Sequence, residues 1–541
     1  MDKIAALVHH ETALGRTYHR GSKKTIGRIS TRPRTPIVIT TSKSSKPGAL
    51  VLGQHRKWTK HDPAFATAHE LAAAIRERRV SAVEVLEAHF ARIARHNPAL
   101  NALVTLNEEG ACARAQEADA ALARGQMWGP LHGVPVTIKD SFSTAGIRTT
   151  SGFPALANHV PDSDATAVAR LRAAGAIVLG KTNLPLLVHG FQTDNPLFGR
   201  TNNPWNLSRT PGGSTGGGAA AIAAGLSPLE LGSDYGGSVR IPAHFCGIYS
   251  LKPTDNRIPL TGHIPELPGH RGVRHVATPG PLARCVQDLA LALQVMAGPD
   301  PRHADVPPVP LTPASEPSWT TLRVAWVDDF GGITVTRDTR TALARLVATL
   351  QERGCTVARC LPENFDFPGI WETYGELRQC EVGGAMTPEL EKECAANFGV
   401  SAQSDDPELR GMARRLNASL RQYTATLAKR DAYIAGVEQF FESWDVLLCP
   451  VTVGPAFPHC APGTPIPVDE GHVPYRLGGT AYTSPFNLTG NPVVALPLTR
   501  SNDGLPIGVQ VVGRRWGEMK LLAVAERIAE LTVPFERPPG Y

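Results

Sequence analysis

The stretch TPGGSTGGGAAAIAAGL, Thr210 to Leu226, constrains this chain more than any other: five glycines crowd one Ser-Thr pair and then give way to alanines. Glycine loses more backbone entropy on folding than any other residue. Such a cluster therefore marks a backbone that takes torsions closed to other residues, or that passes very close to something. Phosphate binding, a hydrolase nucleophile and a tight structural turn all satisfy the segment taken alone.

The remainder of the chain sets the context. TAHE (Thr67 to Glu70) and SAVE (Ser81 to Glu84) are capping boxes, each opening an Ala/Leu-rich helix, and the second helix is expected to stop before Pro98. A strand follows at Leu103 to Leu106, then a helix to Gly125. In GVPVTIKD, Val134, Val136 and Ile138 alternate with Pro135, Thr137 and Lys139, which reads as a half-apolar strand ending in a lysine. Helix and strand signals keep alternating: a helix at Ala165 to Ala174, AIVL and GKTN, RVAWVDD (Arg323 to Asp329), a long helix ending at Gly354, and DVLLCP (Asp445 to Pro450). No repeat or Gly/Ser linker divides residues 61–541, so the reading is one large α/β domain. The weakly patterned helical stretch 364–443 is read as a peripheral cap over a site.

Composition removes several function classes. Hydrophobic content of 42% and charge of 19% are those of a globular chain, and no apolar run reaches the roughly 18 residues of a membrane span. Nine scattered cysteines, never spaced CxxC, fit reduced thiols in the cytoplasm, and without an H-E-x-x-H string no metal is expected. Residues 1–60 carry net charge +11 and the remainder −5. This amino terminus, without aromatic interleaving or an amphipathic period, is read as a disordered extension with no nucleic-acid role assigned to it.

Two motif matches fail on their surroundings. GAIVLGKT (Gly175 to Thr182) satisfies the P-loop expression, but its variable positions form an apolar strand run and Pro185 follows at once, so neither a phosphate nest nor a helix fits. GGSTG satisfies the nucleophile-elbow expression, yet NLSRTP, not an apolar strand, leads into Ser214. A Ser-His-Asp triad also needs a histidine in a persuasive setting. Spacing marks out none of His244, His263 and His275.

A better nucleophile lies 24 residues on, in LELGSDYGGSVRIPAHFCG. An apolar segment enters, Gly236 and Gly237 permit a tight turn, and Ser238 stands where a helix is expected to begin, with Pro242 tolerable in its first turn. The amides of Tyr235, Gly236, Gly237 and Ser238 would then face one concavity as an oxyanion hole, each donor contributing about 3 kcal/mol at the transition state.

These residues resemble the amidase signature family of serine hydrolases. The run from GGSTGGG to LKPT is similar to its signature, GVPVTIKD to its lysine segment, and FNLTGNPVVALPLTRSNDGLPIGVQVVG to its carboxy-terminal segment, together spanning about residues 65–535. The resemblance implies an α/β fold with a central mixed, twisted sheet flanked by many helices. It also implies a Ser-cisSer-Lys triad: nucleophile Ser238, bridging Ser214 after a cis Gly213–Ser214 peptide, and base Lys139. A lysine removes a proton only when neutral, so its pKa must fall from about 10.4 toward 7 or 8 by burial. Gly213 and Thr215 support the loop, and Asp234 and Arg240 are expected to pair and hold the nucleophile's turn.

Thr215, Leu186, Ser250 and Asn256 depart from the common family pattern, none at a triad position; Asn256 stands for a glycine and tolerates left-handed torsions. The reaction implied is hydrolysis of a small-molecule amide through an acyl-enzyme, with no cofactor. Tyr235, Phe457, Tyr475 and Tyr482 are taken as acyl-pocket walls. Carbamate or ester cleavage by the same triad, and the glutaminase component of a tRNA-dependent amidotransferase, are the alternatives. A homodimer is left open.

Overall fold

Both capping boxes form in the computed structural model, which describes residues 62–264, 273–363, 365–384, 388–397 and 399–541. The basic segment 1–60 lies outside the described residues, as does Asn364, the first residue of the expected cap. Thr67 opens helix Ala68–Arg76 and Ser81 opens helix Ala82–Leu100. The second helix does not stop before Pro98 as expected. It carries the proline in its last turn, where one forfeited N–H bond costs least, and ends on Asn101 in a left-handed conformation.

Eleven strands form one sheet. In chain order they are β1 (Leu103–Leu106), β2 (Pro135–Lys139), β3 (Ile177–Thr182), β4 (Leu229–Asp234), β5 (Tyr249–Lys252), β6 (Thr278–Ala283), β7 (Arg323–Trp326), β8 (Thr356–Arg359), β9 (Val446–Pro450), β10 (Val493–Arg500) and β11 (Pro506–Val512). Their order across the sheet is β1-β3-β2-β4-β6-β5-β10-β11-β9-β7-β8. β2 runs parallel to both β3 and β4, while β4 with β6 and β10 with β11 are antiparallel, so the sheet is mixed. The α/β class and the single large domain follow from this sheet and the helices around it.

The register places the site. Lys139 pairs with Thr182 at one end of β2, and Thr137 and Ile138 pair with Glu230 and Leu231 of β4. β4 therefore delivers Ser233 and Asp234 to the same end of the sheet as Lys139. All five residues of β2 are buried, Pro135, Thr137 and Lys139 included, so the half-apolar strand has both of its faces covered. A strand inside a parallel set is covered on both faces, so alternation in its sequence does not imply a wet side. The P-loop lookalike is the strand β3 itself, with Lys181 and Thr182 buried inside it.

The opening glycines now have separate tasks. Gly212 has φ +83 and takes a torsion other residues avoid. Helix Gly216–Ala223 is buried along its whole length, and a side chain at Gly217 would meet the backbone of Asn183 at 2.4 Å and Ala102 at 2.6 Å. Close packing of helix on sheet, not loop flexibility, requires that glycine.

Helices Phe367–Gly383, Pro388–Asn397, Pro407–Ala413 and Leu420–Ser443 occupy the expected cap region. Several of their residues, with Ser404 to Asp406 between them, border the cleft described next. Among the described residues no helix is long and apolar enough to cross a membrane.

Candidate active site

Lys139 has no solvent exposure, and its Nζ donates to three hydroxyls, Ser214 Oγ at 2.7 Å, Thr215 Oγ1 at 3.0 Å and Ser233 Oγ at 3.0 Å, with a longer contact to the Ser233 carbonyl at 3.4 Å. β2 brings the lysine, the glycine loop brings Ser214 and Thr215, and β4 brings Ser233. Loss of hydration pushes the Lys139 pKa down to about 7, against the opposing pull of the Glu230 and Asp234 charges. Burial likewise pushes the Glu230 carboxyl up to about 7, despite bonds from Thr137 and Thr182 and the charge of Lys139. Near neutral pH an uncharged amine is thus accessible. The Gly213–Ser214 peptide is cis.

Ser238 reaches the same place from β4 through a turn of which Gly237, at φ +119, is part. The Thr215 amide donates to the Ser238 carbonyl at 3.1 Å, which ties the Ser238 turn to the glycine loop. Helix Arg240–Cys246 follows, with Pro242 in its first turn. A cleft of about 1530 Å³ opens onto Ser238, and Gly213, Tyr235, Gly236 and Ile241 line it at this end.

Three carbonyls of the turn are each taken by a protein donor. Tyr374 donates to the Tyr235 carbonyl at 2.6 Å, Thr483 to that of Gly236 at 2.7 Å, and the Ile241 amide to that of Gly237 at 2.8 Å. In a trans peptide the N–H opposes the C=O, so the amides of Gly236 and Ser238 are directed the other way. Gly237 differs from the expectation: its amide donates to Asp234 Oδ1 at 2.9 Å. The amides of Tyr235, Gly236 and Ser238 meet no protein acceptor among the described residues.

Asp234 and Arg240 pair at 2.9 Å with no exposure of either side chain. Burial alone would raise the Asp234 carboxyl. Arg240, with bonds from Arg240 and Asn487, instead holds it well below the usual carboxylate range. The Val239 amide also donates to Asp234, and Arg240 reaches the Thr483 carbonyl at 3.0 Å and Gln510 Oε1 at 2.8 Å. A buried ion pair is retained only when its remaining donors and acceptors are satisfied, and here they brace the turn from several elements.

Of the aromatic residues expected to wall an acyl pocket, Tyr235 and Tyr475 line the cleft. Phe457 packs behind it against Phe191, and Tyr482 is buried in the core, stacked on Phe330 with its hydroxyl on the Asp328 and Ile333 carbonyls. Phe191, stacked on Tyr475 with ring centroids 4.3 Å apart, takes the wall position that those two do not.

Sequence reasoning missed Ser233, Tyr374 and Thr483. Ser233 had a local signal, since β4 alternation turns it to the face opposite Asp234. Tyr374 and Thr483 are distant in the chain and carried none. Asn256 does take a left-handed torsion, φ +61. Among the described residues one His/Cys/Asp group, His69, Cys285 and Asp288, has metal-ligand spacing. The Asp288 oxygens there accept the amides of Ala68 and His69, which is a helix-capping arrangement.

The family model described as Amidase matches residues 84–522. The chain belongs to the amidase family. Like other members it is a hydrolase of amide carbon–nitrogen bonds. It is 35% identical to the indoleacetamide hydrolase of Bradyrhizobium diazoefficiens over 468 residues, covering 85% of this chain and 86% of that relative. It is also 35% identical to a glutamyl-tRNA(Gln) amidotransferase subunit from a Roseiflexus species over 506 residues, covering 87% and 98%. Among solved structures, this amidase superposes on 6-aminohexanoate cyclic dimer hydrolase with a TM-score of 0.72, 30% identity and coverage of 88% and 99%.

Proposed function

We propose that this amidase cleaves a small-molecule carboxylic amide through an acyl-enzyme on Ser238, with Lys139 as the base and Ser214 as the bridge between them. The observation that carries the reading is the 2.7 Å contact between the fully buried Lys139 amine and Ser214, at the end of the cleft that Ser238 lines. Neutral Lys139 takes the Ser214 hydroxyl proton as Ser214 takes that of Ser238, whose oxygen adds to the substrate carbonyl. The oxyanion is met by amides of the 235–238 turn, each worth about 3 kcal/mol. Collapse breaks the C–N bond, and the proton on Lys139 returns through Ser214 to the departing amine. Water then repeats the sequence and releases the carboxylate.

Asp234 and Arg240 act as turn supports, and Gly213 and Thr215 as loop supports. The stacked Phe191 and Tyr475 suit a flat acyl group. Eight of the nine cysteines are free thiols, which supports a reducing compartment such as the cytoplasm. Residues 61–541 serve as the catalytic domain, with the stretch 364–443 as a peripheral cap. A panel of aryl, alkyl and primary amides, anilides and carbamates, run beside Ser238→Ala and Lys139→Ala, tests the reading. Turnover should vanish in both variants; comparable rates for all three proteins would refute it.

A further inference from the structure

The hydroxyls around Lys139 are not equivalent, and their hydrogens decide which way the amine faces. A neutral primary amine has two N–H bonds and one lone pair. To serve as a base it must spend both N–H bonds elsewhere and aim the lone pair at Ser214. Thr215 fulfils half of that requirement: its hydroxyl donates to the Ser233 carbonyl at 3.3 Å, so its oxygen can only accept from Lys139. Ser233 needs a second acceptor for its own hydrogen before it can act the same way.

His263 stands where such an acceptor is needed: its Nε2 lies 2.8 Å from Ser233 Oγ. The segment around it is held against the chain just beyond Lys139: the Ser143 amide donates to the Gly262 carbonyl at 2.8 Å, the Ile264 amide donates to the Ser141 carbonyl at 2.6 Å, and Phe142 packs its ring on His263 with centroids 4.7 Å apart. The imidazole is thus held beside Ser233.

We propose that His263 is a positioning residue for the base: its unprotonated Nε2 takes the Ser233 hydroxyl hydrogen, so that Ser233 only accepts from Lys139 and the amine's lone pair is left for Ser214. Without this acceptor the Ser233 hydroxyl can donate to Lys139 and occupy the lone pair. Desolvation and the neighbouring Lys139 push the His263 imidazole down to about 3, consistent with an unprotonated ring. The inference rests on the reading of Lys139 as base and Ser238 as nucleophile.

Because the natural substrate is not needed, the test follows a fluorophosphonate probe, which labels an activated serine. The labelling rate is measured per folded molecule in the full-length protein, with the modified peptide identified by mass. His263→Phe keeps a ring against Phe142 but removes the acceptor, and should slow labelling of Ser238 by about tenfold, the size of one hydrogen bond's preference. His263→Gln restores an acceptor oxygen and should recover most of the rate. In a Ser233→Ala background, His263→Phe should add nothing, because its only route to the base is gone.

Labelling of Ser238 at the wild-type rate in His263→Phe overturns the inference. So does a full second penalty on top of Ser233→Ala, or a His263→Gln rate no better than that of His263→Phe. Should His263→Phe fail to fold, His263→Gln against Ser233→Ala decides: a rate near wild type supports the role and one near Ser233→Ala overturns it. Failure of the underlying reading looks different. Wild-type label would then fall elsewhere than Ser238, or persist undiminished in Lys139→Met, and the inference would fall with it.

Discussion

Two fully buried lysines stand on neighbouring strands, Lys139 at the end of β2 and Lys181 on β3, where it pairs with Ile138. Loss of hydration lowers both, Lys139 to about 7 and Lys181 to about 8. Burial therefore does not tell the proposed base from a structural cation. Their partners do. Lys181 donates to the Phe142 carbonyl and to the hydroxyls of Thr144 (2.9 Å) and Thr149 (3.0 Å). Those hydroxyls have already given their hydrogens away, Thr144 to the Phe142 carbonyl and Thr149 to the Ile147 carbonyl. Three partners that only accept require three N–H bonds, which is an ammonium. Around Lys139 the Ser214 hydroxyl meets no other protein acceptor among the described residues, so it can donate back and let the amine shed its proton.

The largest test of this contrast exchanges each lysine for methionine. Lys139→Met should lower kcat by about 10³-fold or more, the upper part of the range for losing a general base. Its thermal unfolding should hold steady or improve, since an apolar side chain replaces a desolvated amine. Lys181→Met should do the reverse. Unfolding in denaturant should show a loss of about 3–5 kcal/mol as the acceptors and the neighbouring Asp140 charge lose their partner, with kcat per folded molecule retained. An inactive but stable Lys181→Met would break the contrast.

Next in size is the response to pH. Protonated Lys139 cannot accept a proton, so kcat/KM should climb about tenfold per unit below neutrality and level off above a midpoint near 7. The same group also links stability to pH. Its folded pKa lies below the ordinary lysine value of 10.5, so between about 7 and 10.5 the unfolded chain binds the extra proton and stability rises with pH. Lys139→Met should flatten that part of the curve, as read from denaturation midpoints at fixed temperature. The smallest effect sharpens the other side. Thr149→Val removes one acceptor from Lys181 and should cost about 1 kcal/mol of stability, with turnover unchanged.

Much of the scaffold could be read along the chain. The capping boxes, the strand ending in Lys139 and the rejection of GAIVLGKT as a phosphate loop all depend on residues within a few positions of one another. Gly213, Ser214, Ser238, Asp234 and Arg240 were likewise picked out by local motifs. What escaped involves partners far apart. The Gly237 amide was expected in the cleft and donates to Asp234, whose side chain is turned by Arg240 and Asn487. Tyr482 looked like a pocket wall, but its hydroxyl finds two carbonyls in the core. His263 had no spacing to recommend it, because its partner Ser233 is 30 residues away.

By itself, the order of residues determined the alternation of helix and strand, the points where the chain must turn, and which side chains carry reactive chemistry. These follow from torsional preference and hydrophobic period, which act over a few residues. Tertiary structure alone decided which buried lysine meets a hydroxyl free to donate back and which amides of the 235–238 turn are left without a protein acceptor among the described residues. A hydroxyl hydrogen has one destination, and that destination is set by acceptors brought in from elsewhere: Ser233 meets Lys139 across 94 residues of chain.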